Sequence, residues 1–187
     1  MQAYSQHAPI SGYKSVKASQ IAAFFADSEV GITKAKVIKL VYLSEREFMK
    51  RYAHPMTFDE FYSIKHGPIC SATLNGIDGN LGYPEWGILR LGDENEVSTT
   101  RGVSRADLNY VNDAEFEVLT DIWKKFGGYT SGQLRTYTHK HCSEYTETNS
   151  RIPISYGDIF KALGFENPYE LEGELADFRR SQSILAS

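Results

Sequence analysis

Two cysteines, Cys70 and Cys142, are all that the 187 residues contain. That is too few for a disulfide framework, and both are expected to be free thiols in a reducing compartment. No apolar run approaches the length that crosses a bilayer. The first ten residues lack a basic stretch followed by an apolar one, so no signal peptide is expected and a cytoplasmic location, away from membranes, is. Positive charge is not in excess either: 20 Lys and Arg against 24 Asp and Glu leave −4, which argues against a whole-domain footprint for nucleic acid. Repeats, low-complexity tracts and Pro/Ser-rich linkers are absent, which points to one compact domain. So are GxxxxGK[ST], GxGxxG after a strand and the nucleophile elbow, and no cofactor is expected.

What is present is aromatic: 12 Tyr, 10 Phe and 2 Trp, rich in a residue that favours half-buried surfaces and interfaces. After a lead-in over residues 1–14, expected to be poorly ordered, Ile21, Phe24 and Phe25 mark a first amphipathic helix that stops before Gly31. Thr33 reads as the N-cap of a second helix running to about Ala53, before His54-Pro55. Val37, Leu40, Val41, Ser44, Phe48 and Tyr52 make one stripe on it, and Ile38, Tyr42, Met49 and Ala53 another beside it. A stripe that wide predicts packing on two sides. Lys36, Lys39, Arg46 and Lys50 occupy the remaining, polar face.

Residues 57–65 read as extended, ended by Gly67-Pro68, with a short helix expected from Pro68 to Gly76 and proline at its first position. Residues 86–91 and 96–100 form a predicted hairpin. Asn112 with Glu115, and Thr130 with Gln133, are capping boxes that open two more helices, ending at Gly127-Gly128 and near His141. Residues 155–163 form a short helix closed by Gly164, and Pro168 opens an amphipathic one with Leu171, Leu175 and Phe178 on one face. The predicted class is mainly α with a small antiparallel β-sheet. The domain occupies residues 15–165, and the helix of residues 166–187 packs on it or on a partner.

Chemistry-bearing clusters are sparse. His139-Lys140-His141-Cys142, with His66 and Cys70 elsewhere, lacks metal-ligand spacing, and neighbouring helical residues face different ways, so no metal is expected. Cys70, near a predicted helix N-terminus, could have a lowered pKa, but no base or oxyanion loop is recognisable beside it. An enzyme using Cys70 and His139 is therefore the alternative reading, and a catalytic role is not expected. Acidic pairs such as Glu115/Glu117 and the run Glu170/Glu172/Glu174 read as solvated helix faces. Residues 34–51 carry six basic residues against Glu45 and Glu47, a local +4. Ten basic against eight acidic residues precede position 91 (+2), and ten against sixteen follow (−6). That asymmetry suits an acidic protein partner as well as it suits DNA.

Lys39-Leu40-Val41-Tyr42-Leu43, then Phe61-Tyr62-Ser63-Ile64-Lys65-His66-Gly67-Pro68-Ile69, then Tyr129-Thr130-Ser131-Gly132-Gln133-Leu134 with Thr138-His139, together resemble the Panacea domain of SocA-like bacterial antitoxins. Ile64 stands where that family often has Trp, and no Trp follows Thr138-His139. The resemblance implies an antitoxin that neutralises a cognate protein toxin by direct binding, with delivery of the toxin to a protease as an open route. A phage- or prophage-associated interaction protein without a toxin is a further reading. Lys39, Leu40, Tyr42, Gly67, Pro68, Leu134, Thr138 and His139 are expected to serve the fold. Tyr62, Lys65, His66, Tyr83 and Trp86 are the candidate partner contacts.

Overall fold

In the computed structural model, which describes residues 12–185, the helix opened by Thr33 is the axis of the fold. Along the chain run α1 (Ser15–Asp27), α2 (Lys34–Tyr52), β1 (Phe61–Ile64), β2 (Gly67–Cys70), α3 (Ser71–Ile77), β3 (Leu89–Leu91), β4 (Val97–Thr99), α4 (Asp113–Phe126), α5 (Ser131–His141), β5 (Ile152–Ile154), α6 (Tyr156–Ala162) and α7 (Pro168–Leu185). The class is the expected one, mainly helical with small antiparallel sheets. The predicted lead-in lies outside the described residues up to position 11. Beyond it, Lys14 N–H donates to the Thr57 carbonyl at 2.8 Å and the Tyr13 hydroxyl meets Thr73 Oγ1 at 3.3 Å.

Thr33 is extended and its hydroxyl accepts from Lys36 N–H, satisfying one of the free amides of the first turn of α2. The helix stops where Ala53 turns left-handed at φ 51°, two residues before Pro55. Both apolar stripes are buried up to Met49, with α1, α4, α5 and β2 packed around them, while at the helix end Tyr52 is exposed and Ala53 half-buried. Val37, Leu40, Val41 and Met49 are wholly inaccessible, and each such side chain stabilises by about 1.5–3 kcal/mol. The predicted polar face is only partly polar. Lys36 and Lys39 are each 5% exposed, because neighbouring backbone supplies acceptors: Lys36 donates to the Gly127 carbonyl at 2.6 Å and pairs with Glu29.

The three-stranded sheet has order β2-β1-β5, antiparallel throughout, with Ile64 opposite Gly67 and Phe61 opposite Ile154. Here the expectation of a helix starting at Pro68 fails. Gly67, at φ +100°, accepts a backbone shape that other residues resist, so Lys65-His66 closes a tight hairpin and Pro68 falls within β2. An edge strand tolerates that proline, whose missing N–H is not needed there. Helix α3 begins at Ser71 instead, and its cap comes from far upstream. Asp59 accepts from Ala72 N–H (2.7 Å), Thr73 N–H (2.9 Å) and the Thr73 hydroxyl (2.6 Å). Glu45, 1% exposed, likewise accepts from Met56 N–H at 2.8 Å and Thr57 N–H at 2.9 Å. The second hairpin, β3–β4, is shorter than predicted, since residues 84–88 form a 3₁₀ turn that contains Trp86.

The capping boxes at Asn112/Glu115 and Thr130/Gln133 form as expected, and two more join Ser104 to Asp107 and Ser155 to Asp158. Glu115 is not on a solvated face: it is 2% exposed and also accepts from Lys17. Helix α7 lies on α6. Its Leu175 is buried, while Phe178 is exposed on one side and stacked on Phe58 on the other, centroids 6.1 Å apart.

Candidate functional site: a groove with a buried lysine

The first turns of α2 (Thr33, Lys34, Ala35) and α5 (Ser131, Gly132) converge on one groove of about 510 Å³. Ile38 and Lys39 on α2, Ile64, His66 and Ile69 on the β1–β2 hairpin, Leu74 on α3 and Arg135 on α5 complete most of its wall, with Glu94 and Asn95 contributed by the β3–β4 turn.

Lys39 is its buried charge. The side chain leaves α2 on the side facing β2, and Nζ donates to the Pro68 carbonyl at 2.6 Å. Burial pushes its ammonium down from 10.5 to about 7, and Arg135 works in the same direction; the Cys70 and Cys142 thiols oppose the shift. Most cations of α2 have a carboxylate: Lys34 has Asp78 at 2.6 Å, Lys36 has Glu29, and Arg46 has Glu144 at 2.7 Å. Among the described residues no carboxylate comes within ion-pair distance of Lys39 or Arg135.

Residues expected to serve the fold separately meet here. A Cβ on Gly67 would lie 3.0 Å from both Lys39 Nζ and Thr138 Oγ1 and 3.3 Å from His139 Cδ2. The glycine is thus required twice, by its φ and by the close approach. Thr138 is fully buried and donates to the Arg135 carbonyl at 3.0 Å. The His139 ring lies 4.4 Å from that of Tyr145, whose hydroxyl donates to the Ile64 carbonyl at 3.1 Å. The His139 Nε2 is buried with no hydrogen-bond partner among the described residues, and burial, then Arg135, lowers the pKa of that ring. Leu40, Tyr42 and Leu134 are buried in the core, with the Tyr42 hydroxyl donating to Glu144 at 2.6 Å.

The five candidate contacts separate. His66 is exposed and lines the groove; Lys65 is exposed beside it in the hairpin turn. Tyr62, one alternation along β1 from Ile64, lies outside the groove under the Arg151 guanidinium, 3.9 Å from the ring centroid. Tyr83 is exposed elsewhere. Trp86 is a correction: it is 6% exposed, donates from Nε1 to Ser15 Oγ at 3.0 Å, and its indole covers Gly76 so closely that a Cβ there would sit 2.2 Å away. Its large ring is better buried than displayed, and only a glycine opposite makes room. Arg135 went unremarked in the sequence. The signal available was a lone basic residue after Leu134 at the start of a capped helix, and nothing local tied it to Lys39.

The arrangement offers positive charge and apolar surface rather than a nucleophile. Cys70 is inaccessible, and burial, then Asp59, holds its thiol well above the usual range, so the reactive thiolate is suppressed. Among the described residues no group of three or more His, Cys, Asp or Glu side chains is placed to hold a metal ion. None of the described helices is long and apolar enough to cross a membrane.

The family model for the antitoxin SocA-like Panacea domain matches residues 37–144, more than half the chain. The chain belongs to the SocA-like Panacea antitoxin family. Neither the curated proteins nor the solved structures contain a match to it. The match is narrower than the predicted domain, but it includes every residue of the Lys39, Gly67, Arg135, Thr138 and His139 cluster. Outside it lie α1, β5, α6 and α7, which this Panacea domain packs against the matched core.

Proposed function

We propose that this Panacea domain is an antitoxin that acts in the cytoplasm, binding a cognate protein toxin directly through the face that carries the Lys39–Arg135 groove. Membership of the antitoxin family supports the role. The observation that carries the choice of face is the pair of basic groove side chains, Lys39 and Arg135, without a carboxylate of their own among the described residues. A buried ammonium that lacks a counter-charge is expensive to keep, and a partner that supplies one converts that expense into affinity. Lys65 and His66 stand at the rim of this face as further contacts, with Tyr62 and Tyr83 outside it. Masking of the toxin and hand-over to a protease both begin with this binding step. Co-expression with the toxin-like product of the neighbouring gene is the test: restored growth and a complex that co-purifies are expected. Continued growth arrest with no complex overturns the proposal.

A further inference from the structure

We infer that the groove is anchored on a side-chain carboxylate: it takes an extended segment of a partner protein that sets an aspartate or glutamate against Lys39 and Arg135, and apolar residues on either side of it against Ile38, Ile64, Ile69 and Leu74. Identifying that partner as the toxin rests on the antitoxin reading; the chemistry of the groove does not.

Three observations lead there. The first is charge. Of the three basic side chains lining the groove, Lys34 is held by Asp78 at 2.6 Å, which leaves Lys39 and Arg135 to share an incoming anion. The one acidic side chain of the lining, Glu94, pairs with neither. The second is unmet bonding. An ammonium has three donors, and among the described residues the one hydrogen bond that the Lys39 ammonium makes is to the Pro68 carbonyl. Lys39 is 5% exposed, and a Cβ on Gly67 would come within 3.0 Å of both its Nζ and Thr138 Oγ1, so the site is built and held rather than a surface chain at rest. The third is the lining. Apolar side chains reach the groove from α2, both strands of the hairpin and α3, so they flank the lysine. A carboxylate at a chain end would leave one side of that lining empty, whereas an internal acidic residue with apolar neighbours fills it. A phosphate backbone suits the groove less, because among the described residues its lining holds no Phe, Tyr or Trp on which bases could stack, and His66 is its one ring.

The probe is hexanoate, a carboxylate on a short apolar chain, titrated into the full-length protein and followed by NMR of the Lys39 side chain and of the Ile38, Ile64 and Ile69 methyl groups. Saturable shifts in both sets are expected with hexanoate and not with neutral hexanamide. Arg135→Ala, a change at an exposed side chain, should weaken hexanoate by about fivefold or more, on the scale of losing one charge-assisted bond. Lys39→Met should abolish the effect, and the arginine variant keeps the test open if the lysine variant does not fold. Absence of saturation, equal binding of hexanamide, or equally tight binding of inorganic phosphate with the methyl groups unmoved overturns the inference, the last in favour of a phosphate-bearing ligand such as RNA. With a toxin that the wild-type protein retains, Arg135→Ala should lose about tenfold in affinity. Unchanged retention by both variants sinks the carboxylate anchor and leaves the antitoxin role standing. Hexanoate binding together with failed rescue does the reverse.

Discussion

Replacing Lys39 by methionine should make the free protein more stable while weakening its hold on a partner. Methionine has nearly the length of the lysine stem and no charge. The lysine ammonium falls from 10.5 to about 7 on folding. At about 1.36 kcal/mol for each tenfold change in proton affinity, that burdens folding by up to about 5 kcal/mol at neutral pH. Methionine removes the burden but strands the buried Pro68 carbonyl, which costs about 1–3 kcal/mol. The expected net gain at pH 7 is about 2–4 kcal/mol, read from urea unfolding followed by circular dichroism. The pH dependence fixes the cause. Between about 7 and 10.5 the unfolded chain binds this proton and the folded one does not, so the lysine protein gains stability as pH rises and the methionine variant lacks that gain. Its advantage should therefore shrink steadily from pH 7 to pH 9. An advantage that is constant over that range, or a variant that is less stable at pH 7, refutes the reasoning. A variant that gains stability and loses binding would separate the two roles of the residue, as sites under functional constraint do.

Three further outcomes follow from the packing. Gly67→Ala forces a left-handed backbone on alanine and a Cβ to within 3.0 Å of Lys39 Nζ and Thr138 Oγ1; a loss of more than about 1 kcal/mol in urea unfolding is expected. Trp86→Ala removes a buried indole, so it should cost about 3–5 kcal/mol of stability, whereas a residue serving only recognition would leave the unfolding midpoint in place. Glu45, raised by burial from 4.5 to about 7, holds a proton in the folded state that the unfolded chain releases. Its contribution is present below pH 4.5 and is lost as pH rises through 7. Wild-type stability measured relative to Glu45→Gln should therefore decline from pH 5 to pH 7, and a flat difference argues against it.

Helix starts were legible because their chemistry is local. The Thr33, Asn112/Glu115 and Thr130/Gln133 caps each lie within three residues of the amide they satisfy. The start of α3 was not legible, since its cap is Asp59, thirteen residues before Ala72. With that acceptor out of sight, Gly67-Pro68 looks like a helix opening. Burial of Lys36, Lys39 and Glu115 was hidden for a similar reason: each bonds to a group distant in sequence, at Gly127, Pro68 and Lys17. β5, a strand of three residues, is too short to show alternation. For the groove, Lys39, Gly67, Thr138 and His139 were legible as motif residues, but their meeting is a property of the packing. Arg135 carried no local mark, and Trp86 had the composition of an interface residue and the environment of a core one.

The short connection from α2 to the sheet is gripped at both ends by buried acids: Glu45 holds Met56 and Thr57, and Asp59 holds α3. This fixes its length, since one added residue would break several hydrogen bonds at once. For anyone labelling the molecule, residues 53–60 are the place to leave untouched. Gly79 and Gly82, exposed and with nothing near either Cβ position, mark a surface turn able to carry an inserted tag or fluorophore while the groove stays intact.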